Sequence, residues 1–302
     1  MITNFNDVLK FARERGSKTI AIACAQEPQV LMAIDDANKM GIADAILVGD
    51  KEKIQKLAKE ISMDLGKYEI IDIKDLNEAS LKAVELVSSG RAHIVMKGLV
   101  DTSIILKAVL NAEVGLRTGN ILSHVSVFDV SGHDKLCLIT DAAMNIAPDL
   151  NEKKQIIENA AKVAYSLDID EPKVAVICAK EKVSPKMPAT VDAAELEKMN
   201  KSGEIKGCLV GGPFALDNAV SLEAAKLKGI THPVAGHADI LMMPTIEAGN
   251  ILYKSLVFLA DTKNAGIIVG AKAPIVLTSR ADSQETKLNS IALAVLMAAK
   301  GA

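Results

Sequence analysis

The chain has 302 residues, with 35 Lys and Arg against 38 Asp and Glu, a formal charge of −3, 49% apolar residues and 3% aromatic ones without a Trp. That balance excludes a disordered chain, and the absence of Lys/Arg runs argues against nucleic acid or an anionic membrane as main partner. Three Tyr and five Phe are too few for base- or sugar-stacking platforms.

In chain order, short apolar runs closed by Gly, Pro, Ser, Thr or Asp predict strands at 19–24, 45–48, 70–73, 94–96, 123–128, 135–139, 173–178, 207–210, 240–242, 267–269 and 274–277. Between them, apolar residues at three- and four-residue spacing predict helices at 27–40, 52–61, 77–87, 102–110, 150–167, 190–200, 221–227, 249–259 and 283–299. Most strand runs are apolar throughout, as strands covered on both faces should be. The alternation of strand and helix predicts an α/β fold: two domains with mostly parallel sheets around one shared cleft. The runs at 123–128 and 135–139 are joined by a short polar connection, so antiparallel pairing is expected there. A domain boundary is expected near 140–150, where Asp141 to Pro148 interrupts the pattern.

No basic stretch followed by an apolar run opens the chain, so no signal peptide is expected, and no run reaches the ~18 apolar residues of a spanning helix. The apolar run 291–299, flanked by Lys287 and Lys300, reads as a buried helix. Cys24, Cys137, Cys178 and Cys208 are widely spaced without a C-x-x-C, which fits free thiols in a reducing cytoplasm. The five His form no H-x-x-x-H pair, so no metal site is expected. Dinucleotide and ATP fingerprints and the G-x-S-x-G elbow are absent. No protein nucleophile announces itself, which suits a reaction whose nucleophile and leaving group both come from the substrates.

Ligands of parallel sheets sit beyond the carboxyl ends of strands, and four such turns are rich in polar groups. The last predicted strand runs into Ser279-Arg280, with Asp282 and Glu285 just beyond. Arg280 there either binds an anion or pairs with a carboxylate, and Asp282 with Glu285 also fits a capping box. After 240–242 comes Thr245, then Gly249-Asn250 at an expected helix start, with Lys254 in reach; its free N–H groups suit phosphate, or the pair is simple turn chemistry. Lys97 follows a buried strand and is either an anion ligand or a surface lysine. Gly211-Gly212 permits close backbone approach to a ligand, or a tight turn.

These turns also carry a resemblance. Gly-Ile-Ala-Asp-Ala-Ile-Leu-Val-Gly-Asp at 41–50, Met-Lys-Gly-Leu-Val at 96–100, Glu-Val-Gly-Leu-Arg-Thr-Gly at 113–119, Ile-Lys-Gly-Cys at 205–208, Ile-Glu-Ala-Gly-Asn at 246–250 and Leu-Thr-Ser-Arg-Ala-Asp-Ser at 277–283 are together specific. Over nearly its whole length the chain resembles the phosphate butyryltransferases of the phosphate acetyl/butyryltransferase family. The resemblance implies reversible transfer of a butanoyl group between coenzyme A and phosphate, directly in a ternary complex, in fermentative butyrate metabolism. Acyl-CoA is then a substrate and no cofactor is permanently bound. It implies a fold like that of isocitrate and isopropylmalate dehydrogenases, a homodimer or larger assembly, and a last helix returning to the first domain. The domains would then be 1–140 with 272–302, and 141–271.

In the acetyl-transferring relatives a Ser-Arg pair lies at the active site, and Ser279 and Arg280 match it. Those relatives place a carboxylate, the proposed base, seven residues after the Ser. Here that position is Thr286, so Glu285 or Asp282 is expected in the role. Arg280 and Ser279 would stabilise the tetrahedral oxyanion, while Arg117, with Lys97 behind it, would hold phosphate; a solvated loop charge is the plain reading of Arg117. Gly249, Asn250 and Lys254 also match the wider family. Three alternatives stand: an acetyl or branched-chain acyl group, a nicotinamide-dependent hydroxy-acid dehydrogenase of similar fold, and a non-catalytic acyl-CoA sensor. The dehydrogenase needs clustered Asp ligands, whereas Asp35 and Asp36 are expected to face solvent from mid-helix.

Overall fold

The computed structural model describes residues 2–279 and 282–301. The chain begins with α1 (Phe5–Glu14), β1 (Lys18–Ala23), α2 (Pro28–Lys39), β2 (Ala43–Gly49), α3 (Lys51–Glu60), β3 (Glu69–Asp72), α4 (Leu76–Ser88), β4 (Ile94–Lys97) and α5 (Thr102–Val109). It continues through β5 (Ser123–Val130), β6 (Cys137–Thr140), α6 (Leu150–Ser166), β7 (Lys173–Ile177), α7 (Pro188–Lys201), β8 (Leu209–Phe214), α8 (Leu216–Val220), α9 (Leu222–Leu227), β9 (Ile240–Met242) and α10 (Ile246–Leu259). It closes with β10 (Thr262–Val269), β11 (Ile275–Val276) and α11 (Gln284–Ala299).

Two compact units result. A terminal unit holds Phe5–Asn120 with Asn264–Ala302, and a middle unit holds Met1–Asn4 with Ile121–Lys263. The division falls at 120/121 and 263/264, not at the expected 140/141 and 271/272. The reason is strand pairing: β5 is antiparallel to β6, and β6 is parallel to β9. The β5–β6 hairpin thus belongs to the middle sheet, and the chain changes unit before β5.

The terminal sheet runs β3-β2-β1-β4-β11-β10. Its first five strands are parallel, and β10 is antiparallel to β11. The expected last helix, α11, lies in this unit and packs on α1 and α2. Its residues Leu288 to Met297 are all buried, Asn289 and Ser290 among them, as in a helix sunk in a core. The middle sheet runs β5-β6-β9-β7-β8, with β6, β9, β7 and β8 parallel.

Each predicted strand and helix has its counterpart. The sequence reading omitted α1 and α8. Phe5, Val8 and Ala12 make the buried stripe of α1, whereas α8 is too short to display a period. The strand β8 extends through Gly211-Gly212-Pro213, which reads locally as a stop. Among the described residues no helix is long and apolar enough to cross a membrane.

Candidate active site

In the terminal sheet the chain moves outward from β1 to β2 and β3 on one side and crosses to β4 on the other, so strand order reverses between β1 and β4. Beyond the carboxyl ends of strands at such a reversal the backbones part and leave room for a ligand. The segments after β1, β4 and β11 share this rim. Gly98 N–H donates to the Ala23 carbonyl at 2.8 Å and Leu99 N–H to the Cys24 carbonyl at 2.8 Å, which ties the β4 turn to the β1 turn. A Cβ on Gly98 would stand 2.3 Å from the Cys24 carbonyl oxygen, so only glycine allows this approach.

Lys97, the last residue of β4, is 5% exposed. It is therefore no surface lysine. Its ammonium donates to the carbonyls of Gly98 at 3.2 Å and Val100 at 3.3 Å, directly under the rim. Cys24 lies close by, and burial pushes its thiol pKa up, with Asp75 adding to the rise and Ser80 and Lys97 opposing it.

Ser279 and Asp282 follow β11 on the same edge. The Asp282 carboxylate accepts the Ser279 N–H at 2.6 Å, and Asp282 N–H donates back to the Ser279 carbonyl at 3.1 Å, a closed turn. Arg280, the expected oxyanion ligand, lies outside the described residues. The capping-box reading of Asp282 is corrected: the cap of α11 is Ser283, whose hydroxyl accepts the Thr286 N–H at 3.1 Å. Asp282 is thus committed to closing the turn, while Glu285 is exposed in the first turn of α11.

Arg117 is exposed in the loop after α5. That loop is pinned by the Lys272 N–H, which donates to the Leu116 carbonyl at 2.9 Å, and by the Thr118 hydroxyl on the Gly270 carbonyl. Gly270 and Lys272 precede β11, whereas Ser279 follows it. The loop that carries Arg117 is therefore tied to the segment that precedes β11, whereas Lys97 ends β4 and Ser279 follows β11.

The middle unit puts its candidates to other uses. Helix α10 starts at Ile246 with Thr245 as N-cap, so the expected start at Gly249 is corrected. The Gly249 N–H is spent inside the helix on the Thr245 carbonyl at 3.1 Å. A Cβ on Gly249 would stand 2.2 Å from the Asp141 carbonyl oxygen, and the Asn250 amide donates to the Ala142 carbonyl at 3.1 Å. Both residues brace the loop after β6 and are not a phosphate cradle. Thr245 makes no side-chain cap bond. The Lys254 ammonium lies 5.4 Å from the Tyr253 ring centre and 5.6 Å from that of Phe258. Gly211 and Gly212 lie inside β8, where Cβ atoms would meet His232 at 2.4 Å and Val176 at 3.0 Å, so protein already fills the space proposed for ligand.

Four residues escaped the sequence reading. Lys287, noted in the sequence only as flanking the apolar run 291–299, is 1% exposed. It shares a helical face with Ile291 and Ala294, a signal that was available. Glu27 and Gln26, after β1, are buried in the rim, and Gln26 Oε1 has no hydrogen-bond partner among the described residues. Asp141, read as an interruption, is 2% exposed and organises the loop after β6. Its Oδ1 accepts the N–H groups of Ala143 at 2.7 Å and Met144 at 2.8 Å. Its Oδ2 accepts from His124 N–H at 3.0 Å and the Asn145 amide at 2.7 Å. An Asp bonding the N–H groups two and three residues on is a turn signature.

Asp35 and Asp36 do not face solvent as expected. Asp35 is buried, accepts from the Tyr68 hydroxyl at 3.2 Å and pairs with Lys39 at 2.6 Å, while Asp36 accepts from the Gln284 amide. A cavity of about 410 Å³ in the middle unit is lined by apolar Val130, Leu216, Leu252 and Leu256 and by polar His133 and Lys135, none of which belongs to the rim. Burial pushes the thiols of Cys137 and Cys208 up to about 12 and that of Cys178 up to about 11, far from a nucleophile's range.

A family model described as "Phosphate acetyl/butaryl transferase" matches residues 4–80 and 72–295. The chain is 55% identical over 298 residues to a phosphate butyryltransferase of Clostridium acetobutylicum, covering 99% of both chains. It is 55% identical over 300 residues to one of Clostridium beijerinckii, again with 99% of each covered. Among solved structures, a branched-chain phosphotransacylase from Enterococcus faecalis V583 matches with a TM-score of 0.84 and 36% identity, over 93% of this chain and 99% of the other.

Proposed function

The chain belongs to the phosphate acetyl/butaryl transferase family, and from that premise we propose that it exchanges a butanoyl group between coenzyme A and inorganic phosphate. The observation that carries this reading is the rim at the β1/β4 reversal, where the Ser279–Asp282 turn and the buried ammonium of Lys97 share one edge of the sheet. The thiolate sulfur attacks the carbonyl carbon of the acyl phosphate. The tetrahedral intermediate then expels phosphate, which leaves with the C–O bonding pair. In reverse, a phosphate oxygen attacks the thioester and thiolate leaves with the C–S pair. A thiol with a pKa of roughly 8.5 needs little help to ionise near neutrality.

Arg280 and the Ser279 hydroxyl hold the oxyanion; losing one such donor typically costs ~3–4 kcal/mol. Lys97 holds the phosphate in preference to Arg117, because it shares the rim with Ser279. Glu285 is the base in preference to Asp282, because the Asp282 carboxylate is engaged by the Ser279 N–H. The substrates are acyl-CoA and phosphate, and CoA is a substrate, not a resident cofactor. A cytoplasmic setting belongs to the same reading, supported by four free cysteines. So does a homodimer or larger assembly. Supporting it, α10 buries only Gly249 and leaves Ile251 67%, Phe258 68% and Leu259 85% exposed. The kinship with isocitrate/isopropylmalate dehydrogenases is likewise proposed, supported by two α/β units with mostly parallel sheets.

A branched acyl group is the second reading, favoured by the Enterococcus structure. One methylene shifts preference by only ~1–3 kcal/mol. Thiol release on adding phosphate to acetyl-, butanoyl- and isobutyryl-CoA tests both. Butanoyl-CoA is expected to give the highest kcat/KM. A higher value for isobutyryl-CoA selects the second reading, and no phosphate-dependent release from any of the three refutes the function.

A further inference from the structure

Lys287 sits in the first turn of α11, where the helix dipole disfavours a cation. It is also 1% exposed, so its charge is removed from water. A lysine in such a place must have its three donors matched. The Lys287 ammonium reaches the Ser279 carbonyl at 3.1 Å, the Asp282 carbonyl at 3.0 Å and the Glu27 carboxylate at 3.5 Å. The first two acceptors are the two ends of the turn that brackets Arg280. The third follows β1 and opens α2, on the far side of the strand-order reversal. One buried ammonium thus joins the β11 turn to the β1 turn.

We propose that Lys287 is a positioning residue for acyl transfer, fixing Ser279 and Asp282 against Glu27 so that the turn keeps one geometry through the reaction. This rests on the reading of the Ser279-Arg280 turn given above. Lys287 touches no substrate; it acts through the backbone of the turn. Misplacing a reacting group by about 1 Å can cost ~100-fold, so the effect belongs in kcat rather than in KM.

Lys287→Met removes the charge and keeps the unbranched stem, but it leaves Glu27 buried without its cation. The double variant Glu27→Gln/Lys287→Met removes that burden. Both are compared with Lys287→Arg in the phosphate-dependent release of thiol from butanoyl-CoA, with turnover normalised to folded protein by circular dichroism. For the double variant we expect kcat to fall at least about tenfold, with KM for both substrates within about threefold. Lys287→Arg should recover part of the loss. A folded double variant with kcat within about twofold of the parent overturns the proposal, as does a loss fully accounted for by a smaller amount of folded protein. Arg280→Ala is run alongside. Near-normal turnover there strikes the reading of the turn itself, whereas a crippled Arg280→Ala beside an active Lys287 variant overturns the positioning role alone.

Discussion

Replacing Asp141 by Asn changes one atom and tests how the loop after β6 is held. The carboxylate accepts four hydrogen bonds, two on each oxygen. Asn keeps one oxygen, and that oxygen satisfies the Ala143 and Met144 N–H groups. The new NH2 then faces two donors, the His124 N–H and the Asn145 amide. Two bonds to a charged acceptor are lost, at ~1.5–3 kcal/mol each, so ~3–6 kcal/mol is the ceiling. The Asn145 amide can turn its oxygen to the new donor, but it then gives up its bond to the Leu122 carbonyl at 2.9 Å. A net loss of about 2–4 kcal/mol follows. For a unit of roughly 150 residues, 1 kcal/mol moves Tm by about 2–4 °C, so the transition of the middle unit should fall by about 5–15 °C. Scanning calorimetry reads this directly. A fall of less than about 2 °C would mean that Asp141 does not organise the loop.

Three further outcomes follow from the same geometry. Gly249→Ala should destabilise by about 1–3 kcal/mol despite alanine's better helix propensity, because its Cβ meets the Asp141 carbonyl; urea titration checks this, and a stabilised variant contradicts the packing. The thiols of Cys137, Cys178 and Cys208 should react with a disulfide reagent at pH 8 far more slowly in the native protein than in urea, since burial holds them protonated. Burial also lowers the pKa of His232, against the opposing pull of Glu197. The unfolded imidazole then binds a proton more readily than the folded one, so stability should be full above about pH 6.5 and fall as the pH drops below it. His232→Asn should flatten that dependence in denaturant titrations from pH 7.5 to 5.5, and an unchanged slope removes His232 from it.

The strands were legible because those buried on both faces read as unbroken apolar runs, as β1 and β4 do. The exception is β8, where Gly211-Gly212-Pro213 looks like a stop; the glycines are there because His232 and Val176 press on the strand. The turn that Ser279 and Asp282 close was visible from its place after a strand. Its support was not, because Lys287 and Glu27 are 260 positions apart in sequence, and only the β1–β4–β11 adjacency brings them together. Likewise, Gly249 and Asn250 read as a helix start because the local sequence cannot show that Thr245 already caps α10. The boundary was misplaced by a tertiary fact, the pairing of β6 with β9.

The central proposal is that Arg280 stabilises the charge of the acyl-transfer intermediate. The direct measurement is phosphate-dependent CoA release from butanoyl-CoA by the parent protein and by Arg280→Ala, with folding checked by circular dichroism. At least about 100-fold lower kcat in a folded Arg280→Ala is predicted. A folded Arg280→Ala that turns over like the parent would contradict it.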